Sequence, residues 1–504
     1  MRTYTLLTLA RAISVTRGQL LERAPIPGVV SFPFSQTPAT SAQLQRRDGK
    51  VVDVSLGATY LNYVVNATVG TPPQPVTLTL DTGSSDIILL HQESAYCEAL
   101  DGACPSVGYY NANKSSTYEY LTSNFTSNFG FADQGEGSGA SGDVAKDTFT
   151  VAGTTVKDQQ FAIAYGNFTL ALSILGLSYA SGENQVNTNP PQQPYDNFPL
   201  ALAKQGATNL ALFSLWKDTV TGYDGQILFG GIDTTKYTGA LTTLETQKRD
   251  GFPDIIAFDV LLDSVALSGN SSFPKGSTGS VPVVLDCGTS GTILPDDWVK
   301  PIYDQFDITY FTANDTAYVD CDLQAAPYTV KYTFQSLNIE VPMTKLVSLR
   351  ALNPKTCTFD IVPAGTRHAL LGDNFLSSAY AVFDLTNNEI SLAPREFSST
   401  SDNVVAVPAG GVKAIGGSTT NPSSSGSPSA SGTGTGTSET GAASSTTGTS
   451  SAASTTAAKK SAASIVSIPA YLIEMKADSL AADKLLLAQY KYIPLQELKS
   501  NINY

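Results

Sequence analysis

Apolar and polar residues alternate through Val76-Thr77-Leu78-Thr79-Leu80 and run directly into Asp81-Thr82-Gly83-Ser84. A period of two with β-branched residues predicts a half-buried strand that delivers a carboxylate into a tight turn. The pattern returns at Val281-Pro282-Val283-Val284-Leu285, followed by Asp286-Cys287-Gly288-Thr289. In both copies a glycine permits a sharp turn, and a hydroxyl, Ser84 or Thr289, stands where it can hydrogen-bond back to the acid. A shorter apolar-apolar-glycine motif follows each copy at comparable spacing, Ile174-Leu175-Gly176 and Leu370-Leu371-Gly372. Taken singly, Asp-Xaa-Gly is ordinary turn chemistry. Its duplication with a companion strand predicts two similar lobes that contribute one acid each. Two carboxylates brought together cannot both ionise; they share a proton, leaving one as base and the other as acid.

Further segments occur in a fixed order around these turns: Tyr63 to Pro73 (YVVNATVGTPP), Lys114-Ser115-Ser116-Thr117-Tyr118, Leu228 to Asp233 (LFGGID) with Tyr237-Thr238-Gly239, and Leu371 to Leu392. Together with the acid turns they make residues 48–395 resemble the pepsin-like aspartic endopeptidases, in particular the fungal secreted and cell-surface branch that includes yapsins and candidapepsins. The resemblance implies an all-β, bilobed fold with two similar β-barrel-like lobes and a cleft between them that takes a polypeptide substrate. It implies Asp81 and Asp286 as the catalytic acids, supported by Thr82, Gly83, Ser84, Cys287, Gly288 and Thr289, with no metal and no cofactor. The Gly- and Ser-rich stretch between Phe125 and Val151 corresponds to the family's flap, a hairpin that closes over substrate. There Phe131, with Asp133 nearby, stands in place of the flap tyrosine. Ile88 stands in place of the tryptophan that shares a hydrogen bond with it, so both polar partners are lost together. Cys287 replaces the Thr or Ser whose hydroxyl, with Thr82, reaches across to the opposite turn. The resemblance also pairs Cys97 with Cys104 and Cys321 with Cys357, which leaves Cys287 as a free thiol.

Composition narrows the reading further. The 504-residue chain is 42% apolar and carries 44 acidic against 30 basic residues, a net charge of −14. That balance disfavours nucleic acid as a partner and suits an acidic exterior, where self-repulsion falls. His91 and His368 are its two histidines, too little material for a Ser-His-Asp or His-rich metal site, and both are expected to be structural or surface residues. The five cysteines include no Cys-x-x-Cys pair, which argues against zinc, and paired cysteines imply an oxidising compartment. Sequons at Asn66, Asn113, Asn124, Asn167, Asn270 and Asn314 favour a secreted glycoprotein. No stretch reaches the ~20 apolar residues of a membrane span.

In chain order, Met1-Arg2 and the apolar run Thr3 to Ala10 fit a short signal peptide over residues 1–20, interrupted at Arg11. Residues 21–47 read as an irregular pro-segment that ends at the dibasic pair Arg46-Arg47. An N-terminal lobe over 48–238 and a C-terminal lobe over 239–395 follow. Residues 396–464, rich in Ser, Thr, Gly and Ala, read as a disordered, O-glycosylated stalk. Residues 465–504 mix charges with leucines, with an amphipathic helix around Ala477 to Gln489 and no glycolipid-anchor tail. The expectation is a monomeric, secreted aspartic endopeptidase active in acid, with cell-wall association through the stalk. The alternatives are a catalytically impaired binding or inhibitory protein on the same fold, and a cell-wall mannoprotein.

Overall fold

The computed structural model describes residues 27–38, 61–94, 108–128, 139–166, 173–187, 192–217, 224–270, 276–352 and 354–415. Strands dominate them. β1 (Val30–Pro38), β2 (Leu61–Val69), β3 (Gln74–Asp81), β4 (Ile87–Leu90), β5 (Glu119–Asn128), β6 (Gly139–Val151), β7 (Thr154–Gly166), β8 (Ser173–Gly176), β9 (Leu212–Lys217) and β10 (Asp224–Phe229) belong to one thirteen-stranded sheet. Its other strands, Thr242–Glu245, Ala379–Asp384 and Glu389–Pro394, come from the second half of the chain. The sheet is therefore shared by the two halves. A seven-stranded sheet drawn from residues 259–371 and a four-stranded sheet drawn from 309–359 build the rest of the second half. This is the all-β bilobed architecture expected from the sequence.

The duplicated motifs are duplicated strands. β3 runs parallel to β8, with Leu80 opposite Leu175 and Asp81 opposite Gly176, and β8 is antiparallel to β4. In the second half Ser277–Leu285 runs parallel to Leu370–Leu371, with Leu285 opposite Leu371, and Leu370–Leu371 is antiparallel to Thr292–Leu294. Each acid thus ends a strand held from the side by its apolar-glycine partner. Val76, Leu78 and Leu80 are buried as the alternation requires, and Thr79, on the opposite face, is buried with them, so this end of β3 is covered on both faces. Aromatic rings join the halves: Phe213 of β9 stacks on Phe383 at 4.9 Å and meets Phe258 at 6.0 Å.

Two segments depart from expectation. The region read as an irregular pro-segment contains β1, paired with β10 on one side and β2 on the other. Phe32 and Phe34 alternate into the core, and Phe34 meets Tyr63 edge-on at 4.5 Å. The second correction concerns the stalk, whose first residues are ordered. Val404–Ala406 pairs with Gly231–Asp233, Val407 is buried, and a 3-10 turn spans Val412–Ile415. The valines scattered among serine and asparagine there suffice to close the fold, so the body extends to residue 415.

Phe34→Ala should destabilise the unprocessed chain by about 3–5 kcal/mol, the usual effect of emptying a buried aromatic site. The denaturant midpoint reads this directly. A change within about 0.5 kcal/mol, typical of a surface substitution, would mean that β1 is not part of the stable fold.

Candidate active site

Both acid turns are built alike. Asp81 Oδ1 accepts from the Gly83 N–H at 2.8 Å, and Ser84 Oγ donates to Oδ2. Asp286 Oδ1 accepts from the Gly288 N–H at 2.7 Å, and Thr289 Oγ1 donates to Oδ2 at 2.7 Å. The turns are tied to their partner strands, Leu177 N–H to Asp81 O at 2.8 Å and Asp286 N–H to Leu371 O at 3.0 Å. The structure brings the two acids together. A Cβ on Gly83 would lie 2.7 Å from the Asp286 carboxyl carbon, and one on Gly288 would lie 2.5 Å from Asp81 Oδ1. Each glycine therefore keeps open the space into which the opposite carboxylate packs. Burial first, and then the charge of Asp81, push the Asp286 carboxyl up to about 7, the behaviour of two carboxyls that hold one proton between them.

Beneath the acids the turns clasp each other. Thr82 Oγ1 donates to Leu285 O at 2.8 Å and accepts from the Cys287 N–H at 2.9 Å. On the other side the Cys287 thiol reaches Leu80 O at 3.4 Å. A thiol is the weaker donor, so the clasp is stronger on the Thr82 side. Burial, then the charges of Asp286 and Asp81, push this thiol well up, which keeps it protonated and unsuited to act as a nucleophile. Cys287→Thr restores a hydroxyl and is expected to keep or raise activity, with a stability gain of up to about 1 kcal/mol from the stronger hydrogen bond. Thermal melting and peptidase rate check it; loss of activity in the Thr variant would reverse the assignment.

Behind the first turn lies another pair of acids. Asp86 Oδ2 accepts from Asn184 N and Nδ2 at 2.9 and 2.6 Å, and Oδ1 accepts from Tyr195 Oη at 2.8 Å. Glu183 is buried and accepts from Tyr195 N–H at 2.9 Å. Burial raises the Asp86 carboxyl. It raises that of Glu183 to about 10, against the lowering effect of the Tyr195 N–H and with a further push from the charge of Asp86.

The remaining expected positions divide clearly. Ile88 is buried in β4, packed with Leu90, Phe125, Val144 and Ala162. It packs beneath the hairpin of β5 and β6, whose tip, with Phe131 and Asp133, lies outside the described residues, as do Cys97, Cys104, Arg46, Arg47 and Asn167. Cys321 and Cys357 form a disulfide, and Cys287 is free and buried. Asn66, Asn113, Asn124, Asn270 and Asn314 are all exposed. His368 Nε2 sits 2.6 Å from buried Asp259, which Arg249 also binds, and the His91 ring packs edge-on against Tyr165. Among the described residues no cluster of metal-ligating side chains occurs, and no helix is long and apolar enough to cross a membrane.

Sequence reasoning passed over Tyr63, Lys217 and Asp373. Their signal was an asymmetry in the repeat: Ile174-Leu175-Gly176 is followed by apolar Leu177, whereas Leu370-Leu371-Gly372 is followed by Asp373.

Comparison with known proteins agrees with this geometry. The profile of the family described as eukaryotic aspartyl protease matches residues 62–395. The chain is 39% identical over 417 residues to a probable aspartic-type endopeptidase, opsB, of Aspergillus oryzae, covering 80% of this chain and 84% of that one. It is 30% identical over 411 residues to the aspartic proteinase yapsin-3 of Saccharomyces cerevisiae, covering 79% and 78%. The crystal structure of an aspartic proteinase from Irpex lacteus shares the fold, with a TM-score of 0.54 at 20% identity over 74% of this chain and all of that one. With two acid turns packed against each other and a family match that spans both of them, the chain belongs to the eukaryotic aspartyl proteases as an aspartic-type endopeptidase.

Proposed function

We propose that this protein is a secreted endopeptidase that hydrolyses peptide bonds in acid by means of a water held between Asp81 and Asp286. The observation that carries the reading is the abutting pair of carboxylates, each fixed by a glycine N–H and a hydroxyl at the end of its own strand. Such fixing holds the two carboxyls against each other, where they can take up a water between them. The two acids share one proton, and burial and then the charge of Asp81 push the Asp286 carboxyl up to about 7. The ionised acid takes a proton from the water as it attacks the peptide carbonyl; its protonated partner polarises that carbonyl and then helps protonate the leaving amine. No step needs a metal or cofactor. The polypeptide lies in the cleft between a lobe near 48–238 and a lobe from 239, now extended to about residue 415.

Export is supported by the disulfide, the exposed sequons and the net charge of −14. Maturation at Arg46-Arg47 would give a chain that begins at Asp48, and the Ser/Thr-rich stretch beyond the folded body would serve as a stalk at the cell wall. The test is casein cleavage across an acid-to-neutral series with and without pepstatin, together with N-terminal sequencing of secreted protein. Cleavage confined to acid, blocked by pepstatin, with a start at Asp48 is expected. A maximum above neutrality, or indifference to pepstatin, would refute the acid-pair mechanism; a start upstream of Pro25 would refute the processing site.

A further inference from the structure

Three polar groups lie buried at the junction of the halves, and the acid-pair chemistry does not use them. Lys217 ends β9, Asp373 opens the short helix Asp373–Leu376, and Tyr63 lies in β2. Lys217 Nζ is 3.0 Å from Asp373 Oδ2, with side chains only 3% and 9% exposed. Tyr63 donates its hydroxyl to the other carboxylate oxygen, and the ammonium lies 5.5 Å from the centre of the Tyr63 ring. Burial, then the carboxylate of Asp373, push the Tyr63 hydroxyl well up and keep it a donor. Lys345, from the neighbouring turn Met343–Leu346, also faces this group, its amine pushed down to about 8 by burial and by Lys217. A buried ion pair carries a desolvation penalty and adds little net stability over an apolar filling, so its presence points to a role in specifying geometry.

The backbone of Asp373 shows what is specified. Its N–H donates to Thr289 O at 2.7 Å, and the next N–H, of Asn374, donates to Ser290 O at 3.1 Å. Asn374 Oδ1 accepts from Thr292 Oγ1 at 2.7 Å. Thr289 in turn holds Asp286 Oδ2. On the other side, β2 is hydrogen-bonded to β3, the strand that delivers Asp81. The path from Tyr63 and Lys217 through Asp373 to Thr289 therefore links the floor of one acid to the turn of the other. The first acid turn has no counterpart, because Leu177 occupies the equivalent place.

We propose that Lys217, Asp373 and Tyr63 are positioning residues for the reaction, a buried ionic tie that sets the second acid turn against the strands carrying the first. The proposal rests on the reading of Asp81 and Asp286 as the acid pair. Cutting the tie should lower the rate of the chemical step and leave substrate binding nearly intact.

The test measures kcat, KM and the pH dependence of kcat on a fluorogenic peptide for Tyr63→Phe, Lys217→Met, Lys217→Arg, Asp373→Asn and the double variant Lys217→Met with Asp373→Asn. Tyr63→Phe keeps the ring and removes one hydroxyl; kcat should fall about 10-fold or more, as for loss of a charge-assisted hydrogen bond, with KM within about twofold. Lys217→Met leaves a buried carboxylate unpaired and should lower kcat by about 100-fold or more, whereas the double variant removes both charges and should recover part of that loss. Lys217→Arg should lie between parent and Met. Loosening the acid pair relieves the burial, and then the mutual repulsion, that raise Asp286, so the alkaline limb of the pH profile should move toward acid. A drop in melting temperature with kcat and the alkaline limb unchanged would make the group merely structural and overturn the proposal. If Lys217→Met does not fold, Tyr63→Phe decides alone. Asp286→Asn runs alongside. Retained activity there defeats the acid-pair reading itself; its loss, with Tyr63→Phe indistinguishable from parent, defeats only the tie.

Discussion

Asp286→Asn is expected to yield a folded protein with peptidase activity reduced by about 10⁴-fold, near the upper end for loss of a general acid-base group. The amide is nearly isosteric with the carboxyl, so Oδ1 can still accept from the Gly288 N–H, and the turn keeps its shape. What disappears is the exchangeable proton that the two acids share. Asp81→Asn should be equally damaging for the same reason, because an amide cannot share or take up the proton that the proposed mechanism needs. The two losses should not add in the double variant, since each single change already disables the unit. Matched circular dichroism spectra and a rate assay on one peptide decide the matter. Near-normal turnover in either folded variant would remove the two-acid mechanism from consideration.

Raising the pH from about 5 to about 8 should destabilise the protein by several kcal/mol, and Glu183→Gln should abolish roughly half of that loss. The sign follows from the raised carboxyls. Glu183 in the fold holds its proton up to about 10 and Asp286 up to about 7, whereas unfolded carboxyls release theirs near pH 4. Between those limits the folded state binds more protons than the unfolded state. Stability from these groups is complete below about pH 4 and declines as pH rises, by up to about 1.4 kcal/mol per unit for each group. Over three units Glu183 alone accounts for something on the order of 4 kcal/mol as an upper bound. A glutamine retains the acceptor for the Tyr195 N–H and cannot ionise. Urea midpoints at the two pH values, for parent and variant, give the comparison; parallel declines would show that Glu183 is not the group responsible. The same titration would link activity and endurance, because the raised carboxyls contribute most to stability at the acid pH where the proposed acid pair shares its proton.

The acid turns were legible because their chemistry and their strand pattern occupy contiguous residues, and duplication made a common turn sequence informative. The pairing of Cys321 with Cys357, expected from the family resemblance, is present. The tie was not legible, since Tyr63 and Asp373 are 310 positions apart and Lys217 and Asp373 are 156 apart, and no local periodicity links such positions. β1 was misread for a related reason. Its partners β10 and β2 come from elsewhere in the chain, and Phe32 and Phe34 find their burial only against them. In the stretch after Arg395, overall composition outweighed a few valines that pair and bury once Gly231–Asp233 is available to receive them. Local pattern found the elements that act within one strand and turn. Elements whose stability comes from a distant partner escaped it.

Cys287 gives the molecule a built-in clock. Its sulfur lies under both acids with the residue only 1% exposed, so a thiol reagent can reach it only when the two turns separate. Where reclosing outpaces the reagent, the labelling rate scales with the fraction of molecules that are open; where the reagent is fast, it gives the opening rate itself. Measured against pH and divided by the rate of a fully exposed thiol with the same reagent, it would follow the separation of the halves without any substrate present. Loss of the shared proton should then be visible as faster labelling before the overall fold is lost.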